Sequence, residues 1–288
     1  MFFKKSAEKE LKMIWEIRKN GKTSHLVGTA HFFPYSFNRS FRKYLENART
    51  VLFEGPLDDA NMAKVVQAGI EDRQSTHLFD ELGKAAVNRI TRALMPACRD
   101  PNSFFIMNLH TLELENPVYD MIKGMKPWLA FFSIWHQYLQ KNGWKYSVDL
   151  EAYTIAKELS KEIVFMETIE EQIRVLEGLA HERIIEFLKN VDHWSDLSRE
   201  YVRGYLSGDL ARLQSLRLRF PSRHHSVINH RDAVFYDRMQ AYLNRGNAVV
   251  CVGAPHVPGM SELLLKEGYR IYGPEIPKRH GSPRSAGR

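Results

Sequence analysis

Two histidines in this chain occupy the same local pattern, and imidazole is the side chain of a metal ligand or a general base. Gly28 stands three positions before His31, and Gly253 stands three positions before His256. Histidine is the side chain that changes charge near neutral pH, so a repeated Gly-x-x-His pattern suggests a reactive site. In a chain with 12 histidines, one such motif would mean little. Two of them, each directly after an apolar segment, favour a functional site over a purely structural role.

The glycines of both motifs have a predicted backbone role. Gly28 and Gly253 are expected to let the chain leave a strand through a conformation that a Cβ atom would block. The small residues that follow would keep the turn tight, so that each histidine points into a crevice rather than back over the sheet.

Two glutamates end further apolar segments in the same way. Glu54 follows Val-Leu-Phe, and Glu167 follows Val-Phe-Met. Ligands of α/β proteins bind in the crevice beyond the carboxyl ends of the strands. If the four segments are neighbouring parallel strands, two imidazoles and one or two carboxylates converge there. The alternatives are that Glu54 caps the next helix, and that Glu167 is an ordinary first-turn acid beside the helix cap Thr168.

An arginine lies on the apolar face of a predicted helix at 227–244. Arg231 is three positions after Ile228 and four before Phe235, which places it on their stripe. A buried guanidinium needs a carboxylate or another acceptor, and Glu54 is the first candidate. The alternative is that Arg231 extends to solvent along the helix surface.

The rest of the sequence predicts the elements that position these side chains. A hairpin is predicted around Asn20-Gly21, a strong turn signal that follows the alternating Met13, Trp15 and Ile17. A helix is predicted to start at the capping box that opens with Thr168. The other elements are predicted strands at 23–29, 50–53, 163–166, 248–252 and 269–272, and predicted helices at 38–48, 150–160, 227–244 and from 261.

This order of elements predicts an α/β fold with a central mixed or mostly parallel sheet flanked by helices. A segment without clear strands at about 57–146 is predicted to be a helical insert that builds or covers a cleft. One domain is expected over 1–272, followed by a flexible basic tail at 273–288.

Composition limits the classes of function. With 288 residues, 44% of them hydrophobic, the chain can bury a large core. Its net charge of +7 is partly concentrated in the tail, so no nucleic-acid partner is expected. Cys98 and Cys251 are the two cysteines, which fits a reducing compartment. No secretory signal or membrane span is evident, so a soluble cytoplasmic protein is predicted.

Taken in order, these segments resemble the TraB/GumN/TIKI family, which belongs to a wider group with erythromycin-esterase-like and ChaN-like proteins. The resemblance covers roughly residues 14–272. Besides the two Gly-x-x-His motifs, its segments are Val51-Leu52-Phe53-Glu54, Met125-Lys126-Pro127-Trp128, Asp149, the block 161–172, Arg231-Asp232 and Gly268-Tyr269. Two residues depart from the usual family pattern: His230 stands before the helix arginine where an acid is usual, and Pro255 precedes His256.

The resemblance implies an α/β core with a helical insert and, from the animal members, metal-dependent peptidase activity. On this hypothesis His31, Glu54 and His256 hold a divalent Mn, Co or Zn ion that activates water. Glu167 is then a base or an outer partner, and Arg231 pairs with an oxyanion or a carboxylate. The substrate would be a peptide or a small molecule.

Two alternatives remain open at this point. One is metal-free hydrolysis of an ester, with His31 or His256 as the general base for water. The other is a binding or regulatory protein that captures a ligand or peptide without turnover.

Overall fold

A six-stranded mixed sheet forms the centre of the protein in a computed structural model, which describes residues 8–71, 77–95, 117–217, 220–221 and 225–277. The strand order is β4-β3-β5-β2-β1-β6. Strands β4, β3, β5 and β2 are parallel neighbours, and β1 runs antiparallel to both β2 and β6. The strands are β1 Ile14–Lys19, β2 Lys22–Thr29, β3 Thr50–Phe53, β4 Glu162–Phe165, β5 Ala248–Gly253 and β6 Arg270–Tyr272.

Helices surround this sheet, as an α/β fold requires. They are α1 Asn38–Leu45, α2 Asp59–Ala68, α3 His77–Leu94, α4 Pro117–Ile122, α5 Pro127–Lys141, α6 Val148–Glu158, α7 Ile169–Glu177, α8 His181–Lys189, α9 Trp194–Ser207, α10 Leu210–Arg217, α11 His225–Arg245 and α12 Val257–Lys266. The predicted fold class is confirmed: the sheet is mixed and mostly parallel, and the alternation of strands with helices is the one that the sequence pattern indicates.

Local sequence signals explain several features of these elements. Asn20 and Gly21 have φ of 50° and 70°, so the hairpin turn lies where both residues tolerate positive φ. Thr168 caps α7 with the predicted reciprocal bonds to Glu171. The continuous apolar run of β5 is buried on both faces in the middle of the sheet, with Ala248 and Val250 fully buried.

The last helix begins earlier than the sequence suggested. The prediction placed its start at Ser261, a residue that often caps helices. Instead a 3-10 turn at Ala254–His256 leads directly into α12, with Pro258 in its first turn. Ser261 lies inside the helix, and its hydroxyl donates to the carbonyl of Val257 at 2.7 Å. Proline suits the first turn because no N–H is needed there.

Helices α2 to α5 form the described part of the predicted helical insert at 57–146. Within those described residues the regular elements are helices, and residues 72–76 and 96–116 of the insert lie outside the described ranges, as does Cys98. Gly69 at the end of α2 fits tightly against α5, since a Cβ there would stand 2.6 Å from the Leu129 side chain. Helices α2 and α5 of the insert therefore pack closely against each other.

The first residues of the predicted C-terminal tail contact the sheet. The Trp15 indole donates to the carbonyl of Pro274 at 2.7 Å, which fastens the first residues of the predicted tail to β1. Residues 278–288 of that tail lie outside the described residues. Within the part of the chain that the structure describes, none of the helices is long and apolar enough to cross a bilayer.

Candidate functional site

Four parallel strands bring the predicted residues to one edge of the sheet. Glu167 follows β4, Glu54 follows β3, His256 follows β5 and His31 follows β2, and these strands are consecutive neighbours in the sheet. The condition on which the sequence argument depended, adjacency of four parallel strand ends, is therefore met. Topology alone explains the convergence, because carboxyl ends of parallel strands share an edge.

Close packing, and not the predicted backbone conformation, favours glycine at the two motif positions. Gly253 has φ of −54°, an ordinary value that any residue adopts, and Gly28 is likewise outside the positive-φ region. A Cβ on Gly28 would lie 3.2 Å from a methyl of Val257, and one on Gly253 would lie 3.2 Å from Oε1 of Glu54. Close approach of neighbouring groups, and not backbone conformation, disfavours a side chain at both positions.

Arg231 connects the two glutamates at the floor of the site. Its Nε and Nη2 donate to the two carboxylate oxygens of Glu167 at 3.0 and 2.5 Å, a bidentate fork. Nη2 also donates to Oε2 of Glu54 at 2.6 Å. The remaining nitrogen, Nη1, lies 3.3 Å from Nε2 of His256, which is the weakest of its contacts. The predicted pairing of a largely buried Arg231 with Glu54 is confirmed, with 16% of the arginine side chain exposed.

Glu54 and Glu167 share the Arg231 guanidinium, but their pKa values shift in opposite directions. Burial alone raises the pKa of Glu54, but Arg231, both histidines and the Gly253 N–H together lower it to about 2. Burial raises the pKa of Glu167, and repulsion from Glu54 raises it further. The Arg231 fork lowers it, but the net shift is upward. Glu54 therefore keeps its negative charge, and Glu167 is the carboxylate of the pair that accepts a proton more readily.

His256 is held by an aspartate on α11. Its Nδ1 lies 2.6 Å from Oδ1 of Asp232, and both side chains are buried. Since an ionised carboxylate accepts only, the hydrogen bond assigns the proton to Nδ1 and leaves the lone pair on Nε2. Burial lowers the pKa of His256 to about 4, with Glu54 opposing and Arg231 supporting the shift. The imidazole at neutral pH is thus an uncharged acceptor facing Glu54 and Arg231.

His31 is held by a second aspartate on the opposite side of the site. The backbone N–H of Val148 donates to the carbonyl of Ala30 at 2.9 Å, which fixes the start of α6 beside the first motif. Asp149, in the first turn of α6, then accepts from the Thr29 hydroxyl and lies 3.0 Å from Nδ1 of His31. The Asp149 carboxylate raises the pKa of His31 to about 9, although 69% of the His31 side chain is exposed and solvent screens part of that charge. His31 therefore favours the protonated form.

Both imidazoles line one cavity of about 320 Å³. Glu54 and Arg231 form part of its polar end with them, and the rest of its wall is largely aromatic and aliphatic. A volume of this size falls within the range of small-molecule sites. The cavity therefore joins a charged floor to an apolar chamber.

The predicted metal ligands are present in this cavity, but both oxygens of Glu54 and Nδ1 of each histidine already have partners. His256 Nε2 lies 3.7 Å from Oε1 of Glu54, but His31 pairs with Asp149. Both oxygens of Glu54 accept hydrogen bonds, from Arg231 and from the Gly253 N–H at 2.6 Å. Among the described residues, no group of three or more His, Cys, Asp or Glu side chains is arranged to hold a metal ion. With a fixed cation 3.3 Å from Nε2 of His256, this arrangement does not fit a divalent ion.

Sequence reasoning did not assign a role to four residues of the site. Asp232 lies four positions after Ile228 and three before Phe235, so its helical phase alone marks it as a buried acid. Asp149 was noted only within a resemblance, and its pairing with His31 depends on the position of α6. Gln172 lines the cavity, and the Tyr205 hydroxyl donates to the buried carbonyl of Gly28 at 2.6 Å; neither contact has a local sequence signal.

Comparison with known proteins identifies the family. The sequence model described as the TraB/PrgY/gumN family matches residues 13–272, which is most of the chain. The chain therefore belongs to this family, as its ordered motifs suggested. A search of curated proteins finds no match to it.

Proposed function

We propose that this member of the TraB/PrgY/gumN family is a hydrolase of neutral carbonyl substrates that uses two histidine–aspartate pairs and needs no metal. The observation that supports this most directly is that His256, which is paired with Asp232, and His31, which is paired with Asp149, both line one cavity. Environments that push the pKa values of two like groups apart are a sign of an acid and a base.

His256 is the general base of the proposed reaction. Its Nε2 takes one proton from a water molecule while the water oxygen attacks the substrate carbonyl carbon. Asp232 holds the imidazole in the tautomer that makes this possible and stabilises the imidazolium that forms. The long 3.3 Å contact from Arg231 is the one that water or substrate displaces.

Arg231 and His31 complete the reaction. Nη1 of Arg231 is the nitrogen that the glutamates do not hold, so it stabilises the negative charge that develops on the carbonyl oxygen. The carbon–oxygen bond to the leaving group then breaks, and protonated His31 gives its proton to the leaving oxygen. The products are a carboxylic acid and an alcohol, and solvent exchange restores both histidines.

A metal-dependent peptidase is the second candidate. It is favoured by the placement of His31, Glu54 and His256 on the same cavity. To bind an ion with these residues, the protein would have to release the 2.6 Å contact between Arg231 and Glu54. That rearrangement is the physical difference between the two candidates.

Chelation separates the candidates. After exhaustive treatment with EDTA, the protein should hydrolyse neutral p-nitrophenyl esters at its original rate, because no step passes through an ion. Calorimetric titration with Mn²⁺, Co²⁺ and Zn²⁺ should show no binding that His256→Ala removes. Loss of activity on chelation, with recovery on adding one of these ions, would reject the metal-free proposal in favour of the second candidate.

The pH dependence of kcat/KM should be bell-shaped. The base must be unprotonated, so activity rises as pH increases through the His256 pKa of about 4. The acid must be protonated, so activity falls as pH increases towards and beyond the His31 pKa of about 9. His31→Gln should remove the alkaline limb and keep the acidic one. A profile of His31→Gln that still falls at alkaline pH would show that His31 is not the acid.

A further inference from the structure

We infer that the cavity takes the acyl part of a neutral ester with an apolar chain of about eight to ten carbons, an inference that rests on the hydrolase proposed above. Three independent features of the cavity support this ligand class: the composition of its walls, the pairing of its charges and its volume.

Fixed apolar side chains form the walls away from the charged floor. Phe131, Trp135 and Leu139 of α5 line one side, and Val175 and Leu176 of α7 line another. Phe131, Trp135 and Leu139 are themselves at most 7% exposed. Trp135 is held by edge-to-face contacts with the aromatic core beneath it, at ring centroid distances of 5.1–5.7 Å. A preformed apolar wall of this kind selects an apolar group without reorganising.

The charges of the cavity are already neutralised within the protein. Among the described residues that line it, Glu54 and Arg231 bind each other, and His31 faces Asp149. An ammonium group on the ligand would therefore enter the cavity without a free anionic partner, which is strongly unfavourable. The cavity should accept an uncharged ligand and reject its ammonium analogue of the same length.

The volume limits the length of the chain. A buried cavity of about 150 Å³ holds one benzene ring, so the 320 Å³ found here holds about 13 non-hydrogen atoms in proportion. Three of these belong to the ester group, which leaves room for about ten carbons. His31 is the exposed member of the site, with 69% of its side chain accessible, so the leaving group points to solvent and the acyl chain points inwards.

Binding of a matched set of ligands tests the class without requiring turnover. The wild-type protein is titrated with 2-decanone and decylammonium, and binding is followed by tryptophan fluorescence, since Trp135 and Trp144 line the cavity. The ketone should bind saturably and at least about tenfold more tightly than decylammonium. Equal or tighter binding of decylammonium, or no saturable binding of the ketone, would overturn the inference.

Two valine-to-tryptophan variants locate the binding site. Val175→Trp fills the chamber, so it should weaken 2-decanone binding by about tenfold or more and leave the shorter 2-hexanone nearly unaffected. Val66→Trp is the control, because Val66 is on α2, is 53% exposed and does not line the cavity. Identical effects of the two variants would place the ketone elsewhere. If the ketone binds as expected but no ester is hydrolysed, the proposed hydrolase fails and the ligand class stands.

Discussion

Replacing Asp232 with asparagine should lower kcat for ester hydrolysis by about 10²–10⁴-fold while the protein remains folded. The carboxylate accepts the hydrogen bond from Nδ1 of His256 at 2.6 Å. An asparagine of the same shape can donate to Nδ1 instead, which moves the imidazole proton to Nε2 and removes the lone pair that faces the cavity. The measurement is kcat at neutral pH, with the circular dichroism spectrum as a check of folding.

Asp237→Asn is the matched control for this experiment. Asp237 lies on the same helix, α11, but is exposed, so its variant should have the activity of the wild type. His256→Ala should reproduce the loss seen in Asp232→Asn, and the double variant should be no worse than His256→Ala, because both changes remove one base. Activity of Asp232→Asn within about threefold of the wild type would mean that His256 is not the base, since a lost general base typically costs 10²-fold or more.

Removing the Arg231 side chain should cost about 3–5 kcal/mol of stability as well as activity. Arg231→Ala leaves two carboxylates, Glu54 and Glu167, without their cation, and their side chains are only 10% and 3% exposed. Arg231→Lys should recover part of the loss, because an ammonium supplies the charge but not the planar fork. Urea unfolding at pH 7 measures the change in the free energy of unfolding from the shift in midpoint at constant m-value.

Arg238→Ala provides a control on the same helix. Arg238 also forms a bidentate pair, with Glu171 at 2.6 and 2.7 Å, but its side chain is 39% exposed. An exposed pair contributes little, so this variant should lose at most about 1 kcal/mol. Equal losses in the two variants would contradict the argument, because burial is what makes the Arg231 network costly to break.

The loss of stability in Arg231→Ala should depend on pH. The pKa of Glu54 in the folded protein is lowered to about 2, so its ion pair stabilises the wild type above its ordinary pKa of 4.5 and this contribution is lost as pH falls towards 2. In Arg231→Ala the uncompensated carboxylates favour protonation, so the deficit relative to the wild type should shrink as pH falls from 7 to 5. A deficit that is constant over this range would mean that lost packing, and not charge, causes the destabilisation.

The sequence determined the elements of this fold and the chemical types at the site. Apolar runs of the right length predict the strands, and turn and cap signals such as Asn20-Gly21 and Thr168 fix their ends, because these effects act within a few residues. The helical phase of Arg231 predicted its burial and a carboxylate partner, since burying a guanidinium without an acceptor is too costly. The position of His31 and His256 directly after apolar strands marked them as candidates.

Only the tertiary structure decided which partner each of these groups has. The order β4-β3-β5-β2 places Glu54 between Glu167 and His256, and it is this order that lets one guanidinium bind two carboxylates. The sequence favoured His31, Glu54 and His256 around one ion, and the structure adds to each histidine an aspartate partner from a different helix. Such pairings depend on how helices pack across 24 and 118 positions of sequence separation, where no local propensity acts. Burial and these partners together then set the charge of each group, because desolvation and neighbouring charges both depend on the assembled surroundings and not on the residue type.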